Sequence, residues 1–251
     1  FSASCRGLRE VRVDVLHGFV FVCLGNDTAE LGTSLAGAPE WLQGSELDLL
    51  RLGRAVSYEV AANWKICVEN FQESHHFERV HPGLQRQTPS AGASSWKGSG
   101  GWLGGLMQLA SHASTVAAEP RSAGESTEPA PKRPWIVPPE DRRRVADAFA
   151  FPTLLTSLQP DYLLTYRLQP LGPARTGVVA ATYFHMAAFA PEPWARDVYE
   201  FWDQVNAEDR AICERQQRGV QSRSYEPACY SLVEDGVHAF DQMVARSYLQ
   251  T

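Results

Sequence analysis

Cysteine is scarce in this 251-residue chain: there are five, at positions 5, 23, 67, 213 and 229, odd in number and widely scattered. Such a set implies no disulfide framework. Positive charge is also in short supply, with 23 Lys and Arg against 29 Asp and Glu and a net charge of −6. That balance argues against nucleic acid or an anionic membrane as a general partner. No stretch of 18 apolar residues occurs, so no membrane-spanning helix is expected, and no signal peptide is visible. A reducing, cytoplasmic location is the corresponding expectation. Internal repeats are lacking as well. What remains is ordinary globular composition, 44% hydrophobic and 21% charged, in a chain long enough for one sizeable domain.

Histidine carries the information. Three of the seven lie between Asn63 and Pro82, in NWKICVENFQESHHFERVHP. Glu73, His76 and His81 form an E-x2-H-x4-H pattern, with Asn70 three residues ahead of Glu73. Asn63 is a fair N-cap, and Trp64 to Val80 contains no Pro or Gly, which predicts a helix over 64–80. Asn70, Glu73 and His76 would then fall near one face. Continued helix would carry His81 about 140° away from His76. Pro82 opposes that, because the residue before a proline is pushed out of the helical region. The helix is therefore expected to end near Val80, with His81 turning back so that two imidazoles reach one metal. The plainer alternative is a solvated polar face; a carboxylate and an amide beside the histidines favour a site.

Burial suggests a third ligand. Trp194 to Val220 reads as a long helix with an apolar stripe through Val198, Phe201, Trp202, Val205 and Ile212. Asp209 falls inside that stripe, where an unpaired carboxylate is costly and a metal is one of few partners that justify it. A salt bridge to Arg167 or Arg175 is the competing explanation. Glu208 and Asp203 lie to the sides and are expected in solvent. His76, His81 and Asp209 make a 2-His-1-carboxylate set, which leaves coordination positions open on Fe(II) and marks non-haem iron oxygenases. Zinc with the same ligands is chemically possible too.

The pattern NWK-x3-EN-x2-E-x2-H-x4-HP resembles the iron motif of the Rieske-type ring-hydroxylating oxygenases, large (alpha) subunit. The likeness extends over nearly the whole chain: Gly18 to Leu24, Phe151 to Leu168 and Phe201 to Gly219 resemble further family blocks, the last carrying the aspartate that matches Asp209. The resemblance implies an α+β helix-grip (START-like) catalytic domain, an antiparallel sheet around a long C-terminal helix. It implies a mononuclear Fe(II) on His76, His81 and Asp209, Glu73 as the carboxylate that bridges to a neighbouring subunit's Rieske histidine in a homotrimer, and Asn70 near the iron. Electrons would come from NAD(P)H through a reductase or ferredoxin and a [2Fe–2S] Rieske cluster, to activate O2 against a small-molecule substrate. That cluster needs C-x-H and C-x2-H, and neither occurs here. With Phe1 as the first residue, the expectation is an N-terminally truncated subunit: residues 1–30 as the end of a Rieske domain, 31–251 as the catalytic domain. Many family members have Asp where Glu73 stands, which leans towards the branch acting on quaternary amines rather than aromatic rings. Outside the family, the alternatives are a helix-grip ligand-binding protein without catalysis and a zinc hydrolase.

Along the chain, Leu8 to Leu24 reads as a β-hairpin turning at His17-Gly18. A short helix is expected near Pro39 and a strand over 50–61. Residues 83–139 read as a long irregular excursion, with an apolar island at Trp102 to Leu109. Glu140 to Phe149 reads as a helix, 154–168 and 177–189 as strands, and a short helix begins near Glu234. Candidate pocket walls are Trp102, Phe151, Tyr162, Tyr166 and Phe184 for a cation, or Leu103, Leu106, Leu155 and Leu164 for an arene.

Overall fold

The computed structural model describes residues 10–25, 28–117, 133–189 and 195–249. The hairpin is present as β1 (Arg12–Leu16) and β2 (Phe19–Cys23), paired antiparallel. His17 and Gly18 both take positive φ, 51° and 81°, as a two-residue hairpin turn requires. Leu8 and Arg9 lie outside the described residues. Leu16, Phe19 and Phe21 pack against the main body, while Val13, Val15, Val20 and Val22 form an exposed face. Two short helices follow, α1 (Leu31–Ser34) and α2 (Glu40–Gln43).

The body is a seven-stranded antiparallel sheet. In chain order its strands are β3 (Leu50–Val60), β4 (Ser94–Lys97), β5 (Trp102–Gln108), β6 (Arg144–Ala150), β7 (Leu154–Leu158), β8 (Tyr162–Gly172) and β9 (Arg175–His185). Their spatial order is β3-β9-β8-β7-β6-β5-β4. Alternation assigns the faces. Val145 and Phe149 of β6, Leu164 and Tyr166 of β8, and Val178 and Ala180 of β9 point to the inner side and join the main core. Ala146, Ala148 and Ala150 point outward, under α1, α2 and the hairpin. Three helices fill the inner side: α3 (Trp64–Phe71), α6 (Arg196–Val220) and α7 (Asp235–Leu249). Between α3 and β4 run two short helices, α4 (Phe77–Val80) and α5 (Pro82–Gln87). The expected α+β helix-grip arrangement, a sheet around a long late helix, is what forms.

Four local expectations give way. The helix predicted over 64–80 is split: α3 stops at Phe71, and α4 restarts after His76. The Glu73 carboxylate takes the backbone N–H of His76 at 3.2 Å, one of the donors that a fresh helix start leaves free. Glu140 to Phe149 is not a helix; after one turn at Pro139–Asp141 it becomes β6, because pairing on both edges, with β5 and β7, overrides the alanine-rich propensity. Residues 154–168 form two strands turning at 159–161 rather than one. The irregular excursion holds α5, β4 and β5, and Trp102 to Leu109 is largely a sheet strand. Its Gly104 hid that, yet a Cβ there would collide with the Asp147 carbonyl oxygen, so the close strand approach demands glycine. Residues 118–132 of that excursion, and Trp194, lie outside the described residues.

Candidate metal centre

The break after α3 builds the site. Asn63 caps α3 as expected, its side chain accepting from the Lys65 N–H at 3.0 Å. The helix then presents Asn70 towards α6, and the irregular turn at 72–76 swings Glu73 onto His76. His81 leaves helical geometry (φ −122°, ψ 69°) ahead of Pro82, as the proline rule requires. Its ring centroid lies 5.0 Å from that of His76. From α6 comes Asp209. One ligand atom each from His76, His81 and Asp209 lie within 4.8 Å of one another.

The surrounding bonds prepare these atoms for a metal. Glu73 Oε1 lies 2.5 Å from His76 Nδ1, and Glu208 Oε2 lies 2.7 Å from His81 Nδ1. A carboxylate only accepts, so each Nδ1 carries a proton, which leaves Nε2 of each ring as the atom that faces the centre. Asp209 Oδ1 sits 2.8 Å from His81 Nε2 and 3.6 Å from His76 Nε2, and Asn70 Nδ2 donates to it at 2.7 Å. His76 Nε2 is buried with no hydrogen-bond partner. Burial works against the His76 cation, but Asp209 and Glu73 outweigh it and hold its pKa up at about 9. His81 is raised in the same way by Asp209 and Glu208. Burial would raise Asp209, yet the two imidazoles hold it well below the usual carboxylate range. Three carboxylates around two imidazoles, with one imidazole nitrogen unpartnered, fit a divalent cation that displaces the histidine protons.

The expectation that Glu208 lies in solvent fails: its carboxylate, 26% exposed, holds His81 from the side of the ring away from Asp209. Asp203 is half exposed and paired with Arg54. Neither Arg167 nor Arg175 reaches Asp209; Arg175 pairs with Glu59. His75 lies 2.8 Å from Glu73 Oε2. The buried stripe of α6 runs through Asn206, Cys213 and Gln217 rather than Ile212, and Asp209 is 31% exposed along the cavity wall.

A cavity of about 100 Å³ adjoins the three ligands, smaller than the roughly 300–1,000 Å³ of drug-sized sites. Its aromatic walls are Tyr58, Phe71, Phe77, Tyr166 and Trp202. Of the candidate pocket walls, Tyr166 and Leu155 line it; Trp102 and Leu106 pack on the outer face of the sheet, and a second cavity of about 560 Å³ lies nearby. Phe71, Glu73, Phe77, Met107 and Asp147 line both cavities.

Residues 47–250 match the family model described as the ring hydroxylating alpha subunit, catalytic domain. The chain belongs to this family. The glycine betaine monooxygenase oxygenase subunit of Chromohalobacter salexigens is 25% identical over 92% of this chain and 57% of its own length. The chloroplastic choline monooxygenase of Arabidopsis thaliana is 26% identical over 96% of the chain and 55% of its own. This family member thus spans little more than half the length of those relatives. Among solved structures, a quaternary ammonium Rieske monooxygenase superposes with TM-score 0.75 at 20% identity, over 94% of this chain and 61% of that one. Naphthalene 1,2-dioxygenase from Rhodococcus sp. gives TM-score 0.63 at 14% identity, over 94% and 65%. At such identities the superpositions establish the fold. Among the described residues no helix is long and apolar enough to cross a membrane.

Of the three carboxylates lining the cavity beside the ligands, Glu73, Asp147 and Asp209, only Asp147 is held by no histidine or amide. Burial pushes its pKa up to about 7, opposed only by a hydrogen bond from Ser157. The native state therefore keeps a proton that the unfolded chain, with a carboxyl near 3.8, has lost. Stability should fall as pH rises through that window. About three units correspond to roughly 4 kcal/mol, and partial exposure to the cavities trims this to about 2–4 kcal/mol. Metal-free Asp147→Asn protein should match the parent near pH 4 and exceed it by that amount at pH 8. Urea midpoints across the range would measure this; parallel curves for the two proteins would refute it.

Proposed function

We propose that this chain is the catalytic part of an oxygenase component that uses one mononuclear Fe(II), held by His76, His81 and Asp209. The observation that carries the reading is the pair of imidazoles whose Nδ1 atoms are tied to carboxylates while both Nε2 atoms converge on Asp209. Iron bound there would supply the reductive activation of O2. The chain's own residues do the rest. Glu73 and Glu208 hold the protons on Nδ1 and fix the rings. Asn70 steadies Asp209. Phe71, Phe77, Tyr166 and Trp202 give a small chamber beside the ligands its aromatic walls. Glu73, which touches both His76 and the more exposed His75, is the bridge on which an incoming electron donor would act. The donor is a [2Fe–2S] Rieske cluster of a preceding domain, reached across a subunit contact in a homotrimer and fed from NAD(P)H by a reductase. Residues 1–30 close that domain and 31–251 form the catalytic one, in the cytoplasm.

The substrate reading is a quaternary amine. The betaine and choline monooxygenases among the relatives support it, as do the small volume and aromatic walls of the cavity, since aromatic faces attract a cation. An arene is the second reading, favoured by the apolar lining. The test is oxygen uptake by the full-length enzyme with its reductase, on betaines, choline and aromatic acids. Uptake with quaternary amines is expected, with formaldehyde where a methyl group is removed. A cis-diol from an arene, with no quaternary amine oxidised, would reverse the choice. Metal analysis giving zinc in place of iron would overturn the oxygenase itself.

A further inference from the structure

The inner face of the sheet carries a polar group that the iron chemistry does not use. Asp147, Ser157 and Gln159 all line the cavity that adjoins the metal ligands. Asp147 lies between Val145 and Phe149 on the core-facing side of β6. Its cross-strand neighbours are Ser157 on one side and Gly105 on the other, so no side chain on β5 covers it. Gln159 is fully buried and donates from Nε2 to Ser157 Oγ at 2.9 Å. Ser157 is the direct cross-strand partner of Asp147, on the same face of the sheet. Two oxygens of this cluster have nothing to accept: Gln159 Oε1 and Asp147 Oδ1 are both buried without a hydrogen-bond partner.

Two orphaned acceptors in one cavity wall call for something electropositive opposite them. The other carboxylates of that wall, Glu73 and Asp209, are already engaged by His76, His81 and Asn70. An arene would leave both oxygens unpaired, and an anion would be repelled. A quaternary ammonium has no N–H, but its charge is spread over polarised methyl groups. Such a cation meets several acceptors at once through C–H···O contacts and charge attraction.

We propose that Asp147 and Gln159 form the cation subsite of this enzyme, receiving the trimethylammonium end of a small substrate while Ser157 fixes their orientation. This rests on the quaternary-amine reading and deepens it. An opposite charge at close range moves a carboxyl equilibrium by about 1–3 units, and reciprocity converts that into about 10- to 1,000-fold in affinity for the cation.

The experiment compares each trimethylammonium compound with the isostere in which carbon replaces that nitrogen and only its positive charge is lost: choline with 3,3-dimethylbutanol, and glycine betaine with 3,3-dimethylbutanoate. Binding to the full-length iron-loaded enzyme is measured anaerobically by titration calorimetry, so no turnover is needed. Wild type should prefer the cation by at least about tenfold in one pair. Asp147→Asn should abolish that preference while the tert-butyl compound binds as before. Gln159→Met should reduce it several-fold. Because the readout is a ratio within one protein sample, loss of active material does not mimic the effect. A preference retained in Asp147→Asn overturns the subsite and leaves the quaternary-amine reading intact. Wild type that shows no preference, or binds none of the four compounds, overturns both.

Discussion

Asp209→Ala protein should fold and yet retain no iron. The carboxylate is the only anionic member of the triad, and its Oδ1 lies 2.8 Å from His81 Nε2 and 3.6 Å from His76 Nε2. Without it, two neutral imidazoles must hold the ion alone, and Glu73 and Glu208 are committed to the far side of each ring. Folding should survive, because Asp209 is 31% exposed and α6 is anchored by Val198, Phe201, Trp202 and Val205, all buried. His81→Ala should lose iron as completely but also lose stability, since His81 is 1% exposed and its removal leaves a hole in the packing. The measurement is iron per chain after anaerobic Fe(II) loading and gel filtration, with circular dichroism to confirm the fold. Wild type should hold about one iron per chain and Asp209→Ala essentially none. Full occupancy in Asp209→Ala would remove it from the ligand set.

That His76, His81 and Asp209 come together was legible because two of them break a local rule. Asp209 is a carboxylate among apolar residues at helical spacing, and His81 stands before a proline that opposes further helix. The hairpin was legible for a similar reason, since His17-Gly18 between alternating valines admits few other readings. What escaped was the strand character of β5 and β6, in the middle of the sheet. Arg144 to Ala150 is rich in alanine and reads as helix, but β5 and β7 claim both of its edges. With that strand went Asp147: on a helix it is a surface acid, and on β6 it stands among core residues with an unpaired oxygen. A period-2 reading of Val145, Asp147 and Phe149 would have exposed it. Glu208 escaped because helical phase alone puts it beside the stripe, and only the position of His81, set by the broken helix before it, shows what it touches.

Arg133→Met should produce the largest loss of stability of any single change considered, about 3–5 kcal/mol. Arg133 is 4% exposed and holds two carboxylates, Asp161 at 2.7 Å and Asp197 at 2.9 Å. Asp161 sits in the β7–β8 turn, where the Thr115 hydroxyl also donates to it. Asp197 is in the first turn of α6. One guanidinium therefore fastens the start of α6 to the sheet, and α6 carries Asp209 and Glu208 further along. Methionine keeps much of the volume and none of the charge, leaving a buried Asp161 and a partly exposed Asp197 as neighbouring like charges without the guanidinium. Burial already raises the Asp161 pKa, with the guanidinium pulling it back down. Loss of Arg133 should raise it further. The native variant would then bind more protons than its unfolded chain, so the deficit should grow as pH rises and shrink as pH falls towards the carboxylate range. Adding Asp161→Asn and Asp197→Asn should recover part of the loss, because the cost lies in the stranded charges rather than in the missing contact. Denaturant midpoints for the single and triple variants at pH 5 and pH 8 decide the matter. A loss below about 1 kcal/mol at pH 8, the level of a surface pair, would show that this clamp does not hold α6.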